Sequence, residues 1–203
     1  MTANEKTGES ARERIMKAAM GAFLEQGYSG TSTLEIATRA KVSKREIYAE
    51  FGNKQSLLTA CIANRSQRMR PPGETPPIVT REDLAATLIL FGKTQLQEIT
   101  HPTVIGVFRL AVSEALRAPE VAQILDGTGR EAVRTALRGV MAQALAAGVV
   151  SGGVAEMSGD FAALLWRGLV LDILLGTAQA PDEAEIERRA RSAAASFMKL
   201  HGL

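Results

Sequence analysis

A single cysteine, Cys61, stands in a chain of 203 residues. That excludes an internal disulfide and any cysteine-rich zinc site. Only two histidines are present, His101 and His201, and no His/carboxylate pair has metal-ligand spacing. There is no G-x-S-x-G sequence, and the run DGTGR at 126–130 lacks the Lys-Ser/Thr of a phosphate-binding loop, so it reads as a turn. Catalysis, a cofactor and a bound metal are therefore not expected. No apolar run approaches the ~20 residues that span a bilayer. The opening stretch MTANEKTGESARER is polar and has no apolar middle of the kind a signal peptide carries. Residues 1–9 read as a disordered tail, and a cytoplasmic protein without a membrane partner is expected. A net charge of only +2 says little by itself about nucleic acid.

What is present is an ordinary globular composition, 46% hydrophobic and 23% charged, with unevenly spread charge. Residues 1–71 carry 12 Lys+Arg against 7 Asp+Glu, whereas residues 72–203 carry 12 against 15. The first part is thus the basic one, as phosphate binding requires. The segment PPGETPP, 71–77, has four prolines and cannot continue a helix. A helix ending near Arg70 and a linker over 71–79 are expected there. Beyond it no alternating strand pattern occurs. Helices are expected near 80–99, 102–117, 119–126, 128–147, 158–177 and 182–200, with Pro102, Pro119 and Pro181 at tolerated first-turn positions.

The most informative stretch is TSTLEIATRAKVSKREIYAEF, 31–51. Ser32 with Glu35 and Ser43 with Glu46 both fit a capping box, a hydroxyl at N-cap and a carboxylate three residues on. Ala37, Ala40, Val42 and Ile47 supply the apolar contacts that close two short helices on a four-residue turn. That is a helix-turn-helix, whose second helix can enter the major groove of DNA. Before it, Ile15, Ala18, Ala19, Ala22 and Phe23 repeat at i, i+3, i+4, i+7 and i+8 as one apolar helix face ended by Gly27. After it, Asn53 can cap a fourth helix. In the second helix of the motif Ile47 and Phe51 face inward, which leaves Lys44, Arg45, Tyr48 and Ala49 outward. Lys44 and Arg45 suit guanine edges or phosphates, and the small Ala49 permits close approach. Glu46 either closes its capping box or accepts from a cytosine amino group, with the cap the first reading.

The order helix, G-Y, T-S, I-A, V-S, I-Y, F, N-K, L-L over residues 10–65 resembles the N-terminal domain of the TetR (tetracycline repressor) family of bacterial transcription regulators. The resemblance implies an all-α fold. An N-terminal three-helix helix-turn-helix domain, extended by a fourth helix over 10–70, precedes a C-terminal helical bundle over 80–203 for ligand binding and dimerisation. It also implies phosphate contacts from Tyr48 and Lys54 and from Thr31 and Ser32, and double-stranded DNA as partner. The family's turn usually reads A-G-V-S, but here Lys41 stands in the glycine's place. If that backbone stays left-handed, a non-glycine residue costs about 1–2 kcal/mol.

One such motif binds weakly, and two set about 34–36 Å apart read a pseudo-palindrome, so a homodimer is expected. By resemblance its surface is the last two helices. There Leu165, Leu169 and Ile173 lie on a helix apolar nearly all round, and Ala190, Ala194 and Phe197 form a stripe permitting close packing; membership of a monomer core is the alternative. A small-molecule effector, an inducer that shifts the separation of the two DNA-reading heads, is likewise implied. Candidate lining groups are Phe91, Phe108, Arg109, Met141 and Trp166, together with His101. Trp166 can equally be plain core, His101 a helix cap, and Arg109 can pair with Glu114 on the same helix. An all-helical adaptor that binds protein is a rival to DNA binding, and Cys61 is either a redox sensor or inert packing.

Overall fold

The computed structural model describes residues 9–69 and 76–203. Residues 1–8 of the expected tail and the prolines 71 and 72 of the linker, with the helix end near Arg70, lie outside the described residues.

Each helix of the basic part begins on a side chain that accepts from its first turn. Helix α1 (Ala11–Gln26) starts on Ser10, which accepts from Glu13 N–H while the Glu13 carboxylate accepts from Ser10 N–H at 2.8 Å. Helix α2 (Thr33–Ala40) starts on Ser32. Helix α3 (Lys44–Phe51) starts on Ser43 with a reciprocal box, and helix α4 (Lys54–Ser66) on Asn53, whose Oδ1 accepts from Ser56 N–H at 2.8 Å. The box expected at Ser32 is only half formed. Ser32 accepts from Glu35 N–H, but the Glu35 carboxylate accepts instead from Arg39 at 2.7 Å and from Gln26. Two charged or amide donors outcompete one backbone N–H for it. Between α2 and α3 Lys41 is left-handed, φ 55° and ψ 49°, and Val42 N–H reaches back to Ala37 O at 3.0 Å. This is the closure that glycine normally serves.

A short 3₁₀ turn, Gln67–Met69, follows α4. Helices α5 (Arg81–Ile99) and α6 (Pro102–Glu114) come next, the second with proline in its first turn. Helix α7 (Glu120–Ile124) runs through a π-helical segment, Leu125–Arg130, into α8 (Glu131–Ala146) without leaving helical backbone. The turn expected at DGTGR does not form. Gly129 is buried there, and a Cβ on it would stand 3.3 Å from Ile62 of α4, so the glycine serves close packing of α4 rather than a reversal. The single helix expected over 158–177 is two: α9 (Val154–Trp166) and α10 (Leu169–Leu175). Arg167 and Gly168, at φ 38° and 82°, are both left-handed and break it. Helix α11 (Glu183–His201) closes the order.

Two cores result. One joins α1–α4 to α6 and α7 through residues such as Phe23, Leu57, Leu110 and Val121. The other is built on α5, α8, α9 and α11, where Phe161 makes edge contacts with Phe91 and Phe197 at centroid distances of 6.4 and 5.9 Å. The first four helices therefore do not seal their own core; α6 and α7 complete it. Leu165, Leu169, Ile173, Ala190, Ala194 and Phe197, expected at a subunit interface, are all buried within this single protomer. Their small and apolar side chains let α11 close on α5, where a Cβ at Gly92 would meet Ala190 at 3.3 Å. Among the described residues no helix is long and apolar enough to cross a membrane.

Candidate nucleic-acid interface and effector cavity

The outward face of α3 is set by two anchors. Ile47 and Phe51 are buried, and Lys44, Arg45, Tyr48 and Ala49 are exposed. Glu46 is spent on the helix end: its carboxylate accepts from Ser43 N–H at 2.7 Å while Ser43 Oγ accepts from Glu46 N–H. Those bonds hold the Glu46 carboxyl below its ordinary range. The remaining acid of the helix, Glu50, is paired with Arg12 at 2.5 Å, and the Arg12 guanidinium lies 4.8 Å over the Phe51 ring. Both carboxylates of α3 are thus engaged within the protein, and its two cations at the leading end are not offset by them. Tyr48 is 47% exposed, with its hydroxyl 3.4 Å from Thr33 Oγ1 at the start of α2. Ser32 and Thr33 stand at that same end.

Two residues expected at phosphates do different work. Thr31 is 2% exposed, and its hydroxyl donates to Gly27 O at 2.7 Å and Ala22 O at 3.1 Å. Its side chain is therefore withdrawn from the surface, tying the α1–α2 loop to the end of α1. Lys54 is half-buried; its ammonium donates to Tyr28 O and Thr31 O and sits 4.4 Å over the Tyr28 ring. It braces the same loop from α4. Arg12 and Thr33 were not singled out by sequence, since nothing local marks a cation one helix away or the first residue after a cap.

The last turn of α6 meets that loop. Glu114 is 6% exposed, and its carboxylate accepts from Ser29 N–H at 2.9 Å and Ser29 Oγ–H at 2.6 Å. Those hydrogen bonds hold the carboxyl below its usual range against the opposing effect of burial. Gly27, φ 81°, leaves room for it: a Cβ there would stand 2.8 Å from Glu114 Oε1. The expected Arg109–Glu114 pair does not form. Arg109 instead donates to Ile173 O at 2.9 Å and Leu174 O at 3.2 Å, satisfying carbonyls at the end of α10.

Upstream on α6, Thr103, Val104, Val107 and Phe108 line a cavity of ≈ 230 Å³ that α4, α5, α8 and α9 also enclose. Of the groups expected to line it, Phe108 and Trp166 do. Phe91 and Met141 are core, Arg109 is bound to α10, and His101 caps α6, its Nδ1 accepting from Thr103 N–H. Four arginines were missed: Arg65, Arg130, Arg134 and Arg138. The last three recur every fourth residue, which is a legible stripe; Arg65 belongs to α4, and only the tertiary packing brings it here. Cys61 is buried, donates to Met16 O at 3.4 Å, and has its thiol pushed up to about 12 by burial. A thiol so held is not a nucleophile at neutral pH.

Two family profiles match. One described as bacterial regulatory proteins of the tetR family covers residues 15–61, and one described as the C-terminal domain of AefR-like transcriptional repressors covers residues 86–202. The uncharacterized HTH-type transcriptional regulator YvkB of Bacillus subtilis is 36% identical over 89 residues, 44% of this chain and 45% of that protein. The chain thus matches less than half the length of this curated relative. A TetR transcriptional regulator from Agrobacterium tumefaciens superposes with a TM-score of 0.80 at 26% identity, covering 95% of each chain. The flavonoid-responsive regulator FrrA gives 0.78 at 28% identity, covering 95% of this chain and 97% of its own.

Proposed function

The chain belongs to the TetR family of bacterial regulatory proteins and is a DNA-binding transcription regulator, and from that premise we propose that it is a repressor released by a small molecule. Two copies occupy a pseudo-palindromic operator, each placing α3 in the major groove one helical turn from the other. Lys44 and Arg45 contact base edges, and Tyr48 and Ser32 contact phosphates, with Lys54 bracing the loop behind them. Thr31 holds the loop beneath them. The observation that carries this reading is an exposed cationic helix start, Lys44 and Arg45, on a fully capped helix whose own acids are engaged elsewhere.

The effector occupies the ≈ 230 Å³ cavity, whose wall includes α6, and α6 ends on Glu114 at the loop that leads into α2. A ligand that favours one position of α6 therefore biases the spacing of the two heads. FrrA, a structural relative, is described as flavonoid-responsive, which supports a small-molecule effector here. The homodimer forms through the outer faces of α10 and α11, since their inner faces are already buried. Leu171 and Leu175 on α10 are 59% and 68% exposed.

Selection of bound duplexes from a random pool tests the reading. Recovery of an inverted repeat with half-sites about one turn apart supports a dimeric operator binder. Recovery of no enriched sequence, or of single half-sites only, contradicts it.

A further inference from the structure

The effector cavity is walled mostly by carbon, yet four arginines reach it and none of the described acidic side chains does. Arg65 enters from α4, Arg130 from the π-helical segment, and Arg134 and Arg138 from α8. Their carboxylate partners stand outside the lining: Glu98 beside Arg65 at 2.5 Å, Asp126 beside Arg130 and Arg134, Glu131 beside Arg134 and Arg138. Three carboxylates for four guanidiniums leave a surplus of positive charge facing an apolar space. There its field is weakly screened.

Arg65 is the most enclosed of the four, its side chain 16% exposed. Its Nε is buried without a hydrogen-bond acceptor, and its Nη2, though close to Glu98, is not aligned to donate to it. Trp166 Nε1, in the same wall, is also a buried donor without an acceptor. Buried donors of this kind are uncommon in proteins and favour a guest that brings acceptors.

We propose that the cavity takes an amphiphilic anion, an apolar aliphatic or aromatic body carrying one carboxylate. The carboxylate accepts from Arg65, with the Arg130–Arg134–Arg138 row fixing the sign of the charge admitted. The body packs against Val107, Phe108, Leu137 and Trp166. An ammonium of the same shape meets four cations and no acid, and is rejected; an alcohol keeps the apolar contacts and loses the charge. This rests on the reading of the cavity as the effector site.

Trp166 is the chain's single tryptophan, so its emission reports on the cavity directly. The probes are octanoate and phenylbutyrate, each beside its matched alcohol and matched amine, followed by tryptophan emission and thermal shift on the full chain. The acids should bind about tenfold more tightly than the alcohols, and the amines not at all. The paired variant Arg65→Gln/Glu98→Gln, which leaves no unpaired acid behind, should remove most of that tenfold preference of acid over alcohol, and Arg138→Gln, at the exposed rim, should remove part of it. Alcohols or amines that bind as tightly as the acids would overturn the proposal, as would acids that leave both signals unmoved at millimolar concentration. Release of a selected duplex separates this from the underlying reading. An acid that binds at Trp166 without releasing DNA refutes the effector site and leaves the anion preference standing. Release of DNA by a cation or a neutral molecule refutes the anion preference and leaves the effector site standing.

Discussion

Replacing Glu114 by glutamine keeps the shape of the side chain that joins α6 to the DNA-reading helices and removes its charge. The carboxylate accepts two hydrogen bonds from Ser29, at 2.9 and 2.6 Å. An amide offers one acceptor, and its NH₂ faces the second donor; Ser29 is exposed, so its hydroxyl turns to water rather than staying orphaned. The loss is therefore one charge-assisted bond and the weakening of another, about 1–2 kcal/mol. For a chain of this size that lowers the melting temperature by roughly 3–6 °C. The pH dependence has a definite sign. Because the folded carboxyl lies below its usual range, its contribution is complete above the unfolded value and is lost as pH falls through the folded value. Glu114→Gln should accordingly lose the most relative to the parent near neutrality and match it in acid. A double-mutant cycle with Ser29→Ala, read by thermal melts and by amide exchange at Tyr28–Thr31, should give a coupling of about 1 kcal/mol. Additive losses, or a Glu114→Gln deficit as large in acid as at neutrality, would refute the clasp.

Other substitutions test separate parts of the account. Lys41→Gly should be neutral or stabilising by up to about 1 kcal/mol, since φ 55° strains any residue with a Cβ; a clear fall in melting temperature would contradict this. Arg45→Ala should cost about 1–3 kcal/mol on the selected operator and blur preference at one base position, whereas uniform weakening on all sequences would make it a phosphate contact. Leu171→Glu/Leu175→Glu should yield a folded monomer by light scattering, and an unchanged dimer would move the interface elsewhere. Cys61→Ser should leave DNA binding insensitive to peroxide exactly as far as the parent is, because a thiol with its pKa near 12 is not oxidised through its thiolate.

Local chemistry was legible in the sequence, and packing was not. The hydroxyl–carboxylate spacing at Ser43 and Glu46, Asn53 ahead of α4, and the inward pair Ile47 and Phe51 all appear in the structure where the pattern put them. These depend on neighbours within one turn. The apolar run through Leu164 and Leu174 required burial, but not against what; the structure spends Leu165, Leu169 and Ile173 on the protomer's own core. Glycines in DGTGR suggested a turn, yet Gly129 is there because Ile62 comes close. Thr31 looked like a phosphate ligand until two carbonyls nine and four residues upstream claimed its hydroxyl. Glu114 and Arg65 gain their partners across 85 and 33 residues of chain, a separation no periodicity reports.

Salt titration of DNA binding tests the central claim most directly. With a selected duplex, log K should fall linearly with log salt, and Lys44→Ala/Arg45→Ala should both weaken binding and make that slope shallower by up to about four ion equivalents per dimer, about two from each protomer. Binding that ignores salt, or a doubly substituted α3 that binds the duplex as the parent does, would contradict it.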